Sequence, residues 1–179
     1  MVRDTSPRGD STLRCSSRDL VAAGDAAGDV SAVPLTGAPH RARMPSADLV
    51  SVSLSRGRHG VVCVSYRLAG PIRLGSTFAL ATRQRAPAAQ GSQERYEAEL
   101  TPDGRVFVSR PHGEPRYPVR ARVAHHGDTL ELAMQTLLRS GEQFDWRADV
   151  SYLPRFPLGA SYVDSLPDGS AWLSLHRPS

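Results

Sequence analysis

The chain contains no lysine and no asparagine, and isoleucine occurs once, at Ile72. All 22 basic residues are therefore arginine, a slant that fits the codon pressure of a high-GC genome better than selection for a charged surface. The formal net charge of +4 is then weak evidence for an anionic partner. A nucleic-acid binder gathers its basic residues on one face and interleaves aromatics for stacking. Here aromatics are only 6% of the chain and arginines are scattered through every segment, so nucleic acid is not an expected partner. Long apolar runs are also missing. No segment approaches the roughly 18 apolar residues of a membrane span, and the opening MVRDTSPRGDSTLRCSSRDL lacks the hydrophobic core of a signal peptide. The expectation is a soluble, cytoplasmic protein without a membrane partner, secreted only if a misassigned start hides a leader.

Cysteine is scarce as well. Cys15 lies in a polar segment and Cys63 inside the apolar run Val61-Val62-Cys63-Val64. Such unlike settings predict a free exposed thiol and a small buried hydrophobe, not a disulfide. No Gly-x-Ser-x-Gly elbow, phosphate loop or Cys-x-x-Cys is present, so acyl transfer, nucleotide chemistry and zinc chemistry lack support. The adjacent pair His125-His126 would point to opposite faces of a strand, and His40, His59, His112 and His176 are isolated. None has the spacing of a zinc site.

What is present is a two-residue hydrophobic beat. In Phe144-Asp145-Trp146-Arg147-Ala148-Asp149-Val150 every second residue is apolar and the others are polar, the signature of a half-buried strand. The same alternation marks strands at 48–54, 61–68, 77–82, 96–100, 105–109, 119–123, 130–134 and 171–175. In the first of these Val50, Val52 and Leu54 share a face and Leu49 is out of step. Thr101-Pro102-Asp103-Gly104 closes a tight hairpin. A helical turn is expected only over 135–139. Residues 84–93 and 152–162 read as loops, and the proline-rich 33–45 as an extended connector.

These signals predict an all-β fold. It is an antiparallel two-sheet sandwich, jelly-roll-like, of about eight to nine strands. Residues 1–24 lack any apolar period and are expected to form a disordered tail, leaving 25–179 as one β-sandwich domain. At this length roughly 70% of the unfolded surface can be buried, enough for a core.

The pieces Asp25-x-x-Gly28-Asp29-Val30, Ala47-Asp48-Leu49-Val50-Ser51-Val52, the hairpin 96–108, Phe144-Asp145-Trp146-Arg147-Ala148 and Tyr162-Val163-Asp164-Ser165-Leu166-Pro167-Asp168-Gly169 resemble the ligand-binding β-sandwich group. That group includes DOMON domains and family 9 carbohydrate-binding modules, particularly versions in actinobacterial proteins. The resemblance implies a sandwich that binds sugars, haem or other small ligands. Haem-type members would need an axial ligand pair, and neither Met nor His falls in a matching motif.

Two sets of residues are candidates for a site. Trp146, Tyr152, Phe156 and Tyr162 could stack on a small organic or sugar ligand, with Arg147, Arg155 or Asp149 making polar contacts. Asp25, Asp29, Asp48, Asp164 and Asp168 come from the two ends of the chain, which often meet in a sandwich, and could supply the oxygens that calcium requires. In turns, however, aspartates commonly serve only as local hydrogen-bond acceptors. The functional expectation is a small-ligand or carbohydrate-binding module with no catalytic motif of its own. The alternative is a cofactor-free cyclase of polyketide-type secondary metabolism that holds its substrate in an apolar cavity.

Overall fold

In the computed structural model the described residues are 13, 15, 21–57, 60–84, 95–109, 116–136, 143–154, 160–168 and 171–175. Among them the fold is all-β, and the only helical segment is one 3-10 turn at Pro45–Ala47. The strands are β1 (Val21–Gly24), β2 (Ser31–Pro34), β3 (His40–Arg41), β4 (Leu49–Arg56), β5 (Val61–Leu68), β6 (Ser76–Gln84), β7 (Arg95–Leu100), β8 (Val106–Ser109), β9 (Tyr117–Pro118), β10 (Ala121–His126), β11 (Thr129–Gln135), β12 (Phe144–Tyr152), β13 (Ala160–Leu166) and β14 (Leu173–Leu175). They build two antiparallel sheets. One has five strands in the order β1-β4-β5-β11-β10; the other has nine, in the order β3-β2-β13-β12-β6-β7-β8-β9 with β14 also on β12.

Alternation decides which side chains meet between the sheets. Val52, Leu54, Val62, Val64, Tyr66, Leu68, Leu130, Leu132 and Met134 face inward from one sheet. Phe78, Leu80, Ala98, Leu100, Val108, Phe144, Trp146, Ala148 and Val150 meet them from the other. Tyr66 spans the interface, donating its hydroxyl to the Ala79 carbonyl at 2.9 Å and setting its ring edge-on to Phe78 at 5.2 Å. β5, apolar on both faces in the sequence, lies at the centre of its sheet because both faces are covered.

Several expectations change. The connector over 33–45 takes in the end of β2 and all of β3, paired as a hairpin, and the loop 152–162 runs into β13. Short strands such as these carry too few residues for a period to show, and they raise the strand number above eight or nine. Leu49 is fully buried while Val50 is only half-buried, because the β4–β5 register shifts between Leu49 and Ser51. The irregularity resets the phase of alternation. Gln135 belongs to β11 and Thr136 donates its N–H to the Gly60 carbonyl, while residues 137–139 of the expected helical turn lie outside the described residues, as does nearly all of the expected loop 84–93.

Within the expected tail, residues 13, 15 and 21–24 are described. β1 pairs with β4, and Leu13, 4% exposed, packs with Val61, Cys63 and Ala133 on the outer face of the five-stranded sheet. Cys15 is disulfide-bonded to Cys63. The two cysteines that sequence reading keeps apart are thus partners, because Cys63 points away from the core and the N-terminal segment crosses over it. β1, at Val21–Gly24, precedes the expected boundary at residue 25.

Candidate metal centre

Four of the five aspartates singled out in the sequence converge. Asp25 follows β1, Asp29 precedes β2, Asp164 lies on β13, and Asp168 follows the cis Leu166–Pro167 bond. Each offers one carboxylate oxygen, and these four oxygens all lie within 4.8 Å of one another. The topology explains the meeting: β2 is hydrogen-bonded to β13, so the loop entering the first and the turn leaving the second sit at one sheet end.

The fifth aspartate holds the loop in place. Asp48 is 3% exposed, and its Oδ2 accepts the Gly28 N–H at 2.8 Å. Arg41 donates its Nε to the Gly28 carbonyl at 2.7 Å, so this one residue is gripped from both sides. Gly28 has φ +92°, a left-handed backbone that side chains resist, and this lets the chain reverse between Asp25 and Asp29. Asp164 is anchored differently. Its Oδ2 accepts the Leu49 N–H at 2.7 Å and its Oδ1 the Ser165 N–H at 2.8 Å. The register shift after Leu49 is thus accompanied by a backbone donor that meets a carboxylate.

Three carboxylate oxygens in this region, Asp25 Oδ2, Asp29 Oδ1 and Asp48 Oδ1, are buried without a hydrogen-bond donor. Buried acceptors are almost always satisfied, and an orphaned one is costly. The electrostatics point the same way. Loss of solvent raises Asp25 to about 6, opposed by the Ala26 N–H and reinforced by the charges of Asp29, Asp168 and Asp48. Burial likewise raises Asp164 to about 7, against the lowering effect of the Leu49 and Ser165 N–H groups, with Asp29 and Asp25 adding to the rise. Without a counter-charge the cluster resists ionisation, and a bound cation would remove that resistance.

Carboxylate oxygens suit hard cations. Calcium holds oxygens at 2.3–2.6 Å, so opposite ligands lie up to about 5 Å apart, whereas magnesium at about 2.1 Å draws them to about 4.2 Å. Four carboxylate oxygens that all lie within 4.8 Å of one another are close enough to share one such cation. Asp25, Asp29, Asp164 and Asp168 are the residues that would hold it, with Asp48 beside them.

Among the described residues the aromatic candidates do not gather at one exposed face. Trp146 is fully enclosed in the core, with its indole Nε1 buried and unpaired, so it packs and presents no face to solvent. Tyr152 and Tyr162 face each other across β12 and β13 and pack with Val30, Ala47 and Met44. Val30 and Ala47 are the chain neighbours of Asp29 and Asp48, so these rings support the acidic loops from below. Phe156 and Arg155 lie outside the described residues. Arg147 is half-buried on the outer face, where it binds Asp149 at 2.9 Å and Ser165 at 2.8 Å. Sequence reasoning missed two supports of the centre, the Arg41 contact and the Leu49 N–H, because neither is marked by any local pattern.

No family model matches the chain, and no curated protein matches it. Among the described residues no helix is long and apolar enough to cross a membrane.

Proposed function

We propose that the chain is a calcium-stabilised β-sandwich binding module that works in an oxidising, calcium-containing environment. One observation carries this reading: four aspartate oxygens drawn from both ends of the chain converge within 4.8 Å, next to buried carboxylate oxygens that have no donor. The Cys15–Cys63 disulfide favours an exported protein over a cytoplasmic one, since thiols in the cytosol are kept reduced. Calcium at about millimolar concentration is ordinary in that setting, and extracellular modules bind it with dissociation constants of roughly 10⁻⁴–10⁻³ M. The resemblance to DOMON domains and family 9 modules supplies the ligand class, sugars or other small organic molecules. The metal would fix the loops that join β1 to β2 and leave β13. The cyclase alternative gains nothing from the interior, because Trp146, Tyr66 and Phe144 are spent on packing.

Calorimetric titration of chelator-stripped protein tests the metal. One calcium should bind with a dissociation constant at or below about 10⁻³ M and raise the melting temperature, with magnesium much weaker. No heat and no thermal shift at millimolar calcium would refute the proposal.

A further inference from the structure

Asp25 stands apart from the other three converging aspartates in what holds its backbone. Asp164 lies on β13, which is paired on both sides, and Asp168 follows the same strand. Asp29 adjoins the fully buried Val30, whose carbonyl accepts the Ala42 N–H at 2.8 Å. Asp25 instead follows β1, an edge strand whose one neighbour is β4. This strand buries little: Val21 and Ala23 are half-buried, while Ala22 and Gly24 are exposed. Gly24 also brings no side chain to pack. Elements with few buried apolar contacts open locally at a small part of the global unfolding free energy. β1 by itself is therefore a weak clamp. Its last hold on the site is the Asp25 N–H, donated to the Val50 carbonyl at 2.9 Å.

The other end of β1 is fastened. Cys15, shortly before β1 in the sequence, forms an antiparallel bridge with Gly57 just beyond β4 and is disulfide-bonded to Cys63. Leu13 is buried against Val61, Cys63 and Ala133. The chain that carries Asp25 is thus pinned to the five-stranded sheet before β1 as well as along it, and the pin before it is covalent. A short tether keeps a strand at high effective concentration beside its partner. The tether is also within reach of a reductant, because Cys15 is exposed although Cys63 is buried.

We propose that the Cys15–Cys63 disulfide switches the calcium centre. Closed, it keeps β1 on β4 and Asp25 in place for the metal; opened by a dithiol, it lets β1 leave, and the centre loses one of its four carboxylates. A thiolate of the dithiol attacks the Cys15 sulfur, the S–S bond breaks, and Cys63 leaves as a thiolate that takes up a proton. The second thiolate of the reductant then displaces Cys15, which takes up the other proton. The protein disulfide gains two electrons and the dithiol becomes a disulfide. The inference rests on the calcium reading and gives that site its regulation: metal is captured only once the chain has reached oxidising surroundings.

Calorimetric calcium titration of the disulfide-closed protein, against Cys15→Ser with Cys63→Ser and against the reduced parent, tests it. Coupled sites change each other's affinity by roughly 5–150-fold, so the dissociation constant should rise at least about fivefold in both open forms. Coupling is reciprocal, and saturating calcium should make the bridge harder to open with dithiol by a similar factor. Hydrogen exchange in chelator, read by NMR, is independent of the metal. Opening the bridge should speed exchange of the Asp25 N–H about tenfold or more while β5 and β11 stay protected. The outcomes separate. A closed protein that binds no calcium overturns the calcium reading and the switch with it. Equal calcium affinity in the closed and open forms, or an Asp25 N–H that exchanges no faster, overturns the switch alone. Lost protection in β5 and β11 also overturns it, since the bridge would then support the whole fold and not one strand.

Discussion

Asp29 Oδ1 is buried without a donor, in a group where Asp25 and Asp164 already sit well above the ordinary carboxylate range. In the metal-free protein the charge of Asp29 adds to the rise of both, whereas a bound calcium would take the same carboxylate as a ligand. Asp29→Asn keeps the shape and removes the charge. The metal-free variant should melt about 2–4 °C above the metal-free parent, the shift expected for about 1 kcal/mol at this size, and should lose the stabilisation by calcium. Thermal melts of both proteins with and without the ion check both halves. The pH dependence follows from the same groups. Unfolded aspartates ionise near 3.9, while the folded Asp25 and Asp164 ionise near 6 and 7. Between these limits the folded state holds more protons, so metal-free stability should fall as pH rises through that window and level off above it. Calcium should flatten the fall. At this scale the sequence was informative: the five acidic residues were legible as a set, and four of them meet. Which oxygens lack donors was not, because that depends on backbone groups far along the chain, such as the Leu49 N–H that serves Asp164.

Strand β12 shows how a half-buried pattern can hide a buried charge. Its alternation places Asp145 on the outer face, yet Asp145 is 4% exposed. Strand β14 pairs with β12 at Phe144, Asp145 and Trp146 and shields it. There Asp145 accepts from Arg83 at 3.0 Å and from Ser174 at 2.8 Å, and Arg83 in turn lies over the Trp172 ring at 4.7 Å. Removing one partner of an enclosed pair leaves the other uncompensated. Arg83 retains some solvent, with 26% of its side chain exposed, so Asp145→Ala should cost about 2–3 kcal/mol, below the full cost for a buried pair. Urea denaturation measures this, and a loss below 1 kcal/mol on the order of a surface substitution would contradict it. Long strands were the most readable elements: β5 appears at its expected bounds and β12 takes in the whole of its expected stretch. Two-residue strands such as β3 and β9 were not, since pairing with a neighbour, and nothing local, makes them strands.

Across the whole molecule the N-terminal segment is tied to the fold by a covalent and an apolar contact, Cys15 to Cys63 and Leu13 to Val61, Cys63 and Ala133. The bridge spans a separation of 48 residues, and closing a loop of that length restricts the unfolded chain by about 4 kcal/mol in the entropic account. Reduction, or Cys15→Ser with Cys63→Ser, should therefore lower stability by about 2–4 kcal/mol. Denaturation with and without reductant reads this directly, and an unchanged midpoint would show that the crossing contributes nothing. Truncation of residues 1–20 removes Leu13 and Cys15 together and should destabilise at least as much.

Taken alone, the sequence determined the sandwich. Alternation, turn residues and the lack of any helical period act through neighbours along the chain, and two facing layers are the form that closes over such a pattern. It also marked the aspartates, whose chemistry needs no partner to be recognised. Only the tertiary structure decided that Cys15 reaches Cys63, that Trp146 packs inside, that Leu49 turns inward across a register shift, and that Asp48 grips Gly28. Each of these depends on residues brought together by sheet pairing from distant parts of the chain, and a pairing register is a property of two strands that neither carries by itself.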